Sequence, residues 1–259
     1  MTTTATAPAP GFESPGVADF QLPPVFGPVT KPVLELVLAA ILIVVFFRLA
    51  VRKPALVPGK VQFLGESFHG IVRNSIARDM IGPKFLGYVP FLTALFAFIL
   101  VNNLFGIVPF IQFPTFSHPG VPYALAGLVW IVYTVVGIRH HGFGGYIRIS
   151  TWPPDVPWWV RIVLTPIEFL SNIILRPVTL SLRLFGNMFA GHLLLLLFTL
   201  GGEYMLFTAG DWQLKVLSPF AFLMAIVFTF FEAFVQVIQA YIFVMLTASY
   251  IGTVLADDH

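Results

Sequence analysis

Two apolar stretches of this chain are too long to stand upright in a lipid bilayer. One runs from Trp158 to about Leu200, the other from about Pro219 to Leu255. Neither holds a Gly, Asn, Asp or Pro cluster that turns the chain back. A helix of ~37 residues measures ~55 Å at ~1.5 Å per residue. The hydrocarbon core of a bilayer is only ~30 Å thick. Such helices must tilt steeply, protrude, or run partly along the membrane. The one clear breaker in the first stretch is Pro177. A lone proline kinks a membrane helix more readily than it ends one. A re-entrant hairpin folded at Arg176-Pro177 is the alternative for that stretch.

Three further apolar runs, Pro32 to Ala50, Phe85 to Ile111 and Val121 to Ile138, are each long enough to span. Only 10% of the residues are charged, against roughly 25% in soluble domains. The fold class expected is an all-α integral membrane protein. It has about five membrane helices, at about 32–52, 85–111, 121–138, 158–200 and 219–255, the last two long and strongly tilted. Gly59 to Ile81 mixes charged residues with Val61, Leu64, Phe68, Ile71, Val72 and Ile76 at helical spacing. That pattern predicts a surface helix at 59–81. Residues 1–30 are rich in Pro and Gly and hold Glu13 and Asp19 but no Lys or Arg. A signal or transit peptide needs basic residues there. We read 1–30 as an extended N-terminal arm, packed on a partner or mobile, and 31–259 as the membrane domain.

Basic residues orient the chain. The segments 48–84 and 139–161 fall on one side and hold ten of the fourteen Lys and Arg. The other side holds Lys31 and Lys215. By the positive-inside rule the N-terminus is outside and the C-terminus cytoplasmic. The absence of cysteine excludes disulfides and thiolate chemistry. No Gly-rich Lys motif cradles phosphate, and nothing suggests a nucleic-acid partner, a cofactor or a metal. His140-His141, His69 and His118 read as solvated loop histidines.

The remaining two cations, Arg176 and Arg183, lie inside the fourth apolar run. Arginine keeps its charge in proteins. Near a bilayer centre that charge costs about 2.5–3.5 kcal/mol on the most lenient scale. Arg176, Thr179, Arg183, Asn187 and Ala190 follow steps of three or four and share one helix face. Gly186 and Gly191 flank it and permit close approach of a neighbour. The last run carries a second stripe, Thr229, Glu232, Gln236 and Gln239. His192 lies half a turn off the arginine face, towards the outer side with Glu232. Glu168 lies in the inner part of the fourth helix. Two titratable groups near one side and one near the other, with a fixed cation between, suit proton movement in two disconnected halves. The bland readings are an interhelical ion pair for Arg183 and structural hydrogen bonds for His192, Glu232 and Gln236.

The segment Thr179-Leu180-Ser181-Leu182-Arg183-Leu184-Phe185-Gly186-Asn187-Met188-Phe189-Ala190-Gly191 resembles the signature of the subunit a family of F-type ATP synthases. Gln239-Ala240-Tyr241-Ile242-Phe243-Val244-Met245-Leu246-Thr247 resembles that family's last-helix signature. Asn102-Asn103-Leu104-Phe105-Gly106-Ile107-Val108-Pro109 is similar to its end-of-span motif. The resemblance covers roughly residues 30–255 and implies a partner: a ring of c subunits, each with a membrane-embedded carboxylate facing Arg183. It also implies peripheral-stalk b subunits, an indirect link to a soluble catalytic headpiece, and residence in the bacterial plasma membrane. Thr179, Asn187 and Gln239 match polar positions around the family's arginine. The best-known bacterial pattern has Glu after the Gly of the arginine motif and His in the last helix. Here His192 follows Gly191, and Glu232 precedes Gln239 by seven. The two chemistries are exchanged between helices, as suits spatial partners on one proton path.

The function so implied is a proton-conducting stator, with no active chemistry of its own. Arg183, His192, Glu232, Gln239, Asn187, Thr179 and Glu168 are its proton-translocation residues. A self-contained secondary transporter or channel is the alternative, and predicts inverted repeats around a central site. No internal repeat is visible. A purely structural scaffold leaves the buried Arg, His and Glu without purpose.

Overall fold

The computed structural model describes residues 12, 14–16, 30–52, 54–108, 114–151 and 157–256. Most of the expected N-terminal arm, the Trp152–Asp155 segment and the end of the 85–111 run lie outside the described residues. The described residues form helices and no strand. Helix α1 (Lys31–Val51) starts with Pro32 in its first turn, where a missing N–H is harmless. Helix α2 (Lys60–Gly70) passes through a π-helical segment, Ile71–Ala77, into α3 (Arg78–Ile81). Gly82 ends it at φ 77°, a left-handed conformation that glycine adopts without strain. Helix α4 spans Val89–Phe105 and α5 spans Gly120–Thr151. Helix α6 (Trp158–Phe169) runs through a π segment, Leu170–Leu175, into α7 (Arg176–Glu203). A last π turn, Tyr204–Thr208, precedes α8 (Trp212–Leu255).

Four helices are long and apolar enough to cross a membrane: Lys31–Val51, Gly120–Thr151, Ile162–Thr208 and Trp212–Leu255. The last two hold 47 and 44 residues, or roughly 70 and 66 Å of helix. Each is about twice a hydrocarbon core. Helix α4 has 17 residues, at the short limit of a span.

The chain runs on through Pro177 as one long helix rather than as the alternative hairpin. Proline falls in the first turn of α7, after a π segment whose altered register accommodates it. The expected loop at 201–215 shrinks to residues 209–211. Gly201 and Gly202 stay helical, because Gly202 is where α8 closes in: a Cβ there would lie 3.2 Å from the Phe222 ring. Ser218 Oγ also donates to the Gly202 carbonyl at 2.9 Å. The third span does not end at 138. It bends at Gly142 (φ 74°, ψ 169°) and continues as helix to Thr151. His140 and His141 are therefore half-buried on a helix, not in a solvated loop. His140 Nε2 lies 2.6 Å from Lys84 Nζ, and His141 Nε2 lies 3.1 Å from the Val254 carbonyl. His69 is likewise engaged, its Nδ1 3.3 Å from Thr93 Oγ1. His118 is half-buried rather than solvated, because the turn just before it is packed inside.

Helix α8 is the axis of the bundle, touching α4, α5 and α7 along its length. Phe243, Val244, Ala240, Ala248 and Ile251 are fully buried on it, against Leu92 and Ile99 of α4 and Leu180 and Leu184 of α7. Small residues let neighbours approach: a Cβ on Gly65 would lie 2.8 Å from Ala50 Cβ, which docks α2 on α1. The α2–α3 helix buries Val72, Ile76, Ala77 and Ile81 and exposes Val61, Phe63 and Leu64. A Cβ on Gly252 would run into the Met80 carbonyl oxygen, a backbone atom that cannot swing aside. We expect Gly252→Val to lift α3 off α8 and destabilise the protein by about 1–3 kcal/mol. Thermal unfolding in detergent checks this, with an unchanged midpoint counting against the contact.

Candidate functional site

Helix α7 turns its apolar side inwards and its polar stripe outwards. Leu180, Ser181, Leu184 and Met188 are buried, whereas Thr179, Arg183, Asn187 and Ala190 are exposed. In lipid that arrangement is unfavourable unless another protein or water covers the stripe. Among the described residues Arg183 makes no ion pair and no hydrogen bond; the single ion pair there is Lys31–Glu35. The Thr179 hydroxyl folds back on its own helix, donating to the carbonyls of Leu175 (2.7 Å) and Arg176 (3.2 Å).

Helix α8 does the reverse. Glu232, Gln236 and Gln239 are 4%, 4% and 3% exposed. Asn187 Nδ2 donates to Gln239 Oε1 at 2.7 Å, joining the two stripes. Gln236 Nε2 donates to Glu232 Oε1 at 3.0 Å and lies 3.7 Å from Met188 Sδ. The Gln236 backbone carbonyl accepts from Asn103 Nδ2 of α4 at 2.9 Å. Gln236 is thus more than a packing amide, since it ties the buried acid to three helices. Thr229 is apart from this network, bonded to the Ala225 carbonyl.

Gly191 explains how the acid fits. A Cβ at that position would lie 3.2 Å from Glu232 Cδ and Oε1, so a side chain there would push the carboxylate back from α7. His192 is the next residue. Asn187, Gly191, Phe231, Glu232 and Gln236 line a cavity of about 240 Å³ between the helices. Glu232 Oε2, Gln236 Oε1 and Gln239 Nε2 are buried with no hydrogen-bond partner among the described residues. Buried polar atoms of that kind normally meet water.

Glu168 is not part of this cluster. It lies 15 positions before Arg183, roughly 22 Å along the helix. Asn172 Nδ2 donates to Glu168 Oε2 at 2.9 Å and to the Ser150 carbonyl at 2.7 Å. The Asn172 carbonyl accepts from the buried Tyr133 hydroxyl at 3.1 Å. Arg176 is held separately, its guanidinium 5.0 Å above the Tyr250 ring. The structure therefore separates two polar groupings, with Arg183 between them on the exposed face. Motif and spacing leave one carboxylate unassigned: Glu35, alone among the apolar residues of α1, is 5% exposed. A lone acid within an apolar span was its one signal in the sequence.

The family model described as ATP synthase A chain matches residues 33–252. The chain belongs to the ATP synthase A chain family. Among curated relatives, "ATP synthase subunit a" of a Nocardioides species is 50% identical, covering 98% of this chain and 97% of its own length. The protein of the same name from Pseudarthrobacter chlorophenolicus is 45% identical over 96% of this chain and 95% of its own. That from Paenarthrobacter aurescens is 43% identical over the same shares. The family match takes in the whole of the α7 stripe and the Glu232–Gln239 segment of α8. For this member of the A chain family, Asn187→Leu should cost about 0.6–1.7 kcal/mol by stripping Gln239 of its partner. Asn187→Leu with Gln239→Leu should recover part of that loss. A double-mutant cycle of unfolding midpoints in detergent measures the coupling, and additive effects would deny it.

Proposed function

We propose that this chain is the proton-conducting stator subunit of the membrane sector of an F-type ATP synthase. In this reading it forms two offset half-channels against a ring of c subunits. The chain sits as a multi-pass protein in the bacterial plasma membrane, with its N-terminus outside and its C-terminus cytoplasmic. Peripheral-stalk b subunits hold it still while the ring turns, and a soluble headpiece carries the nucleotide chemistry.

The observation that carries this reading is Arg183: exposed on an apolar helix, with no counter-charge among the described residues. A partner must cover it, and the partner that lowers its energy most is a carboxylate arriving from outside the chain. A carboxyl that is neutral while facing lipid is favoured in its ionised form beside a guanidinium. It therefore releases its proton as it reaches Arg183 and takes up another as it leaves. The fixed charge also opposes a proton passing straight along the helix. Protons enter from outside by His192 and Glu232 and load the ring carboxylate near the Asn187–Gln239 contact. After nearly a full turn they leave inward past Glu168. Thr179 stands on the same face as Arg183 with its hydroxyl bound to its own backbone, so it leaves the guanidinium mobile. Each proton crossing supplies ~2.3 kcal/mol per 100 mV.

In the reconstituted complex, Arg183→Ala should abolish ATP-driven proton pumping while the subunits stay assembled. Retained coupling would refute the barrier role. His192→Leu and Glu232→Leu should each slow passive proton flow through headpiece-stripped complexes in vesicles. Flow equal to the parent in both variants would leave the pair a structural role only.

A further inference from the structure

Helix α1 shows lipid the apolar face expected of a peripheral span, with Val37, Ile41 and Val44 each more than half exposed. Glu35 is turned the other way. Its Oε2 accepts a 2.8 Å hydrogen bond from Thr115 Oγ1, which is itself fully buried. Its Oε1 is buried without a hydrogen bond and lies 3.9 Å from Lys31 Nζ. The Lys31 side chain is 35% exposed, so the pair lies at an accessible edge. Thr115 belongs to a 3-10 turn, Thr115–Ser117, that packs between α1 and α7. Ser117 Oγ, in the same turn, is also buried with no hydrogen-bond partner among the described residues. The turn packs against α7, the helix that carries His192.

Polar groups from α1, the turn and α7 thus converge on the end of the bundle that holds His192. A structural staple between α1 and the turn does not account for this. A neutral amide would accept the Thr115 hydroxyl equally well, and the staple leaves Ser117 Oγ without a hydrogen bond and Glu35 Oε1 with only the Lys31 ammonium at 3.9 Å. Such buried atoms are unfavourable unless water reaches them. A carboxylate, two hydroxyls and an imidazole are groups that exchange protons with water between them.

We propose that Glu35 is a proton-exchanging station at the outer mouth of the entry path, one step outward from His192. It rests on the proton-stator reading above. The Glu35 carboxylate takes one proton from water at the Lys31 edge. It passes that proton along water and the hydroxyls of Thr115 and Ser117 to the His192 imidazole, then returns to the carboxylate. The ionisable groups around it are Lys31 on its own helix, His118 beyond the turn and His192 on α7. Helix α4, packed alongside α1, carries no ionisable side chain over Val89–Phe105.

The test uses the complete complex in vesicles, with passive proton flow measured after removal of the headpiece and normalised to assembled protein. Outer pH is varied from about 6 to about 8, the range in which imidazole titrates. Glu35→Gln should cut the flow by roughly tenfold and flatten its dependence on outer pH, as expected for loss of a group that exchanges protons. Glu35→Asp should keep the parent profile at a reduced rate. A Glu35→Gln complex with the parent's flow, or with reduced flow but the parent's pH profile, overturns the proposal. Arg183→Ala measured alongside separates the two claims. If it loses coupling while Glu35→Gln behaves as the parent, only the Glu35 station falls. If it retains coupling, the stator reading falls and the station with it.

Discussion

A guanidinium on an apolar helix, with no acid beside it among the described residues, is the constraint from which the rest of this molecule follows. Removing water from such a charge costs several kcal/mol unless an opposite charge or water replaces it. The chain keeps its acids away from Arg183 rather than neutralising it. Glu232 is buried behind Gly191 and bonded to Gln236, and Glu168 is tied to Asn172 at the far end. Had either acid closed on Arg183, the pair would be permanent, and a buried pair broken on every cycle would cost about 3–5 kcal/mol each time. Leaving the cation unpaired within the chain keeps its counter-charge exchangeable.

The two long helices share the labour through opposite orientation of their polar stripes. Helix α7 exposes Thr179, Arg183 and Asn187, whereas α8 buries Glu232, Gln236 and Gln239. Asn187 bridges them, exposed on one helix and bonded into the other at 2.7 Å. The burial on α8 is held from a third direction by Asn103 of α4, through the Gln236 carbonyl. A rigid buried lattice thus stands directly behind a mobile charged surface. Helix length contributes as well. A stripe on a helix about twice as long as the bilayer is thick can follow a curved neighbour over several turns, as an upright span cannot.

How much of this was legible in the sequence follows the physics of each signal. Apolar length and the dearth of charge give an all-α membrane fold, because runs this long and continuously apolar satisfy their backbone in hydrocarbon as helices, whereas the strands of a closed barrel are short and alternate. Steps of three and four put Thr179, Arg183, Asn187 and Ala190 on one face, and all four are exposed on α7. Glycine was the unreliable sign. Gly201 and Gly202 look like a loop but stay helical, since α8 closes on Gly202. The glycines at 142–145 look like a helix end but only bend α5, which carries His140 and His141 into the bundle. The π segments at 71–77, 170–175 and 204–208 have no local sequence signature; tertiary packing selects them. The Asn187–Gln239 and Gln236–Asn103 pairs span 52 and 133 positions, and only the folded helices bring them together. Glu35 had one signal, a lone acid among apolar neighbours, and it reads as a tolerated exception until its burial is seen.

The buried polar atoms without a hydrogen bond mark where water can enter. Glu35 Oε1, Ser117 Oγ, Glu232 Oε2, Gln236 Oε1 and Gln239 Nε2 all lack a hydrogen-bond partner among the described residues, Glu35 Oε1 having only the Lys31 ammonium at 3.9 Å. They run from the start of α1, through the turn, to the α7–α8 interface. The Glu168 grouping differs: its Asn172 uses both its amide nitrogen and its carbonyl within the protein. Thr165 Oγ1, one turn before Glu168, is nonetheless buried with no hydrogen-bond partner among the described residues, so both groupings hold a place for water. Helix α6 leaves Ile162, Val163 and Ile167 exposed around Glu168. In the stator reading proposed above, the two groupings serve proton flow in either sense, because a fixed arrangement of groups does not rectify it. The cation between them need not select a direction; it need only keep the two sides from joining.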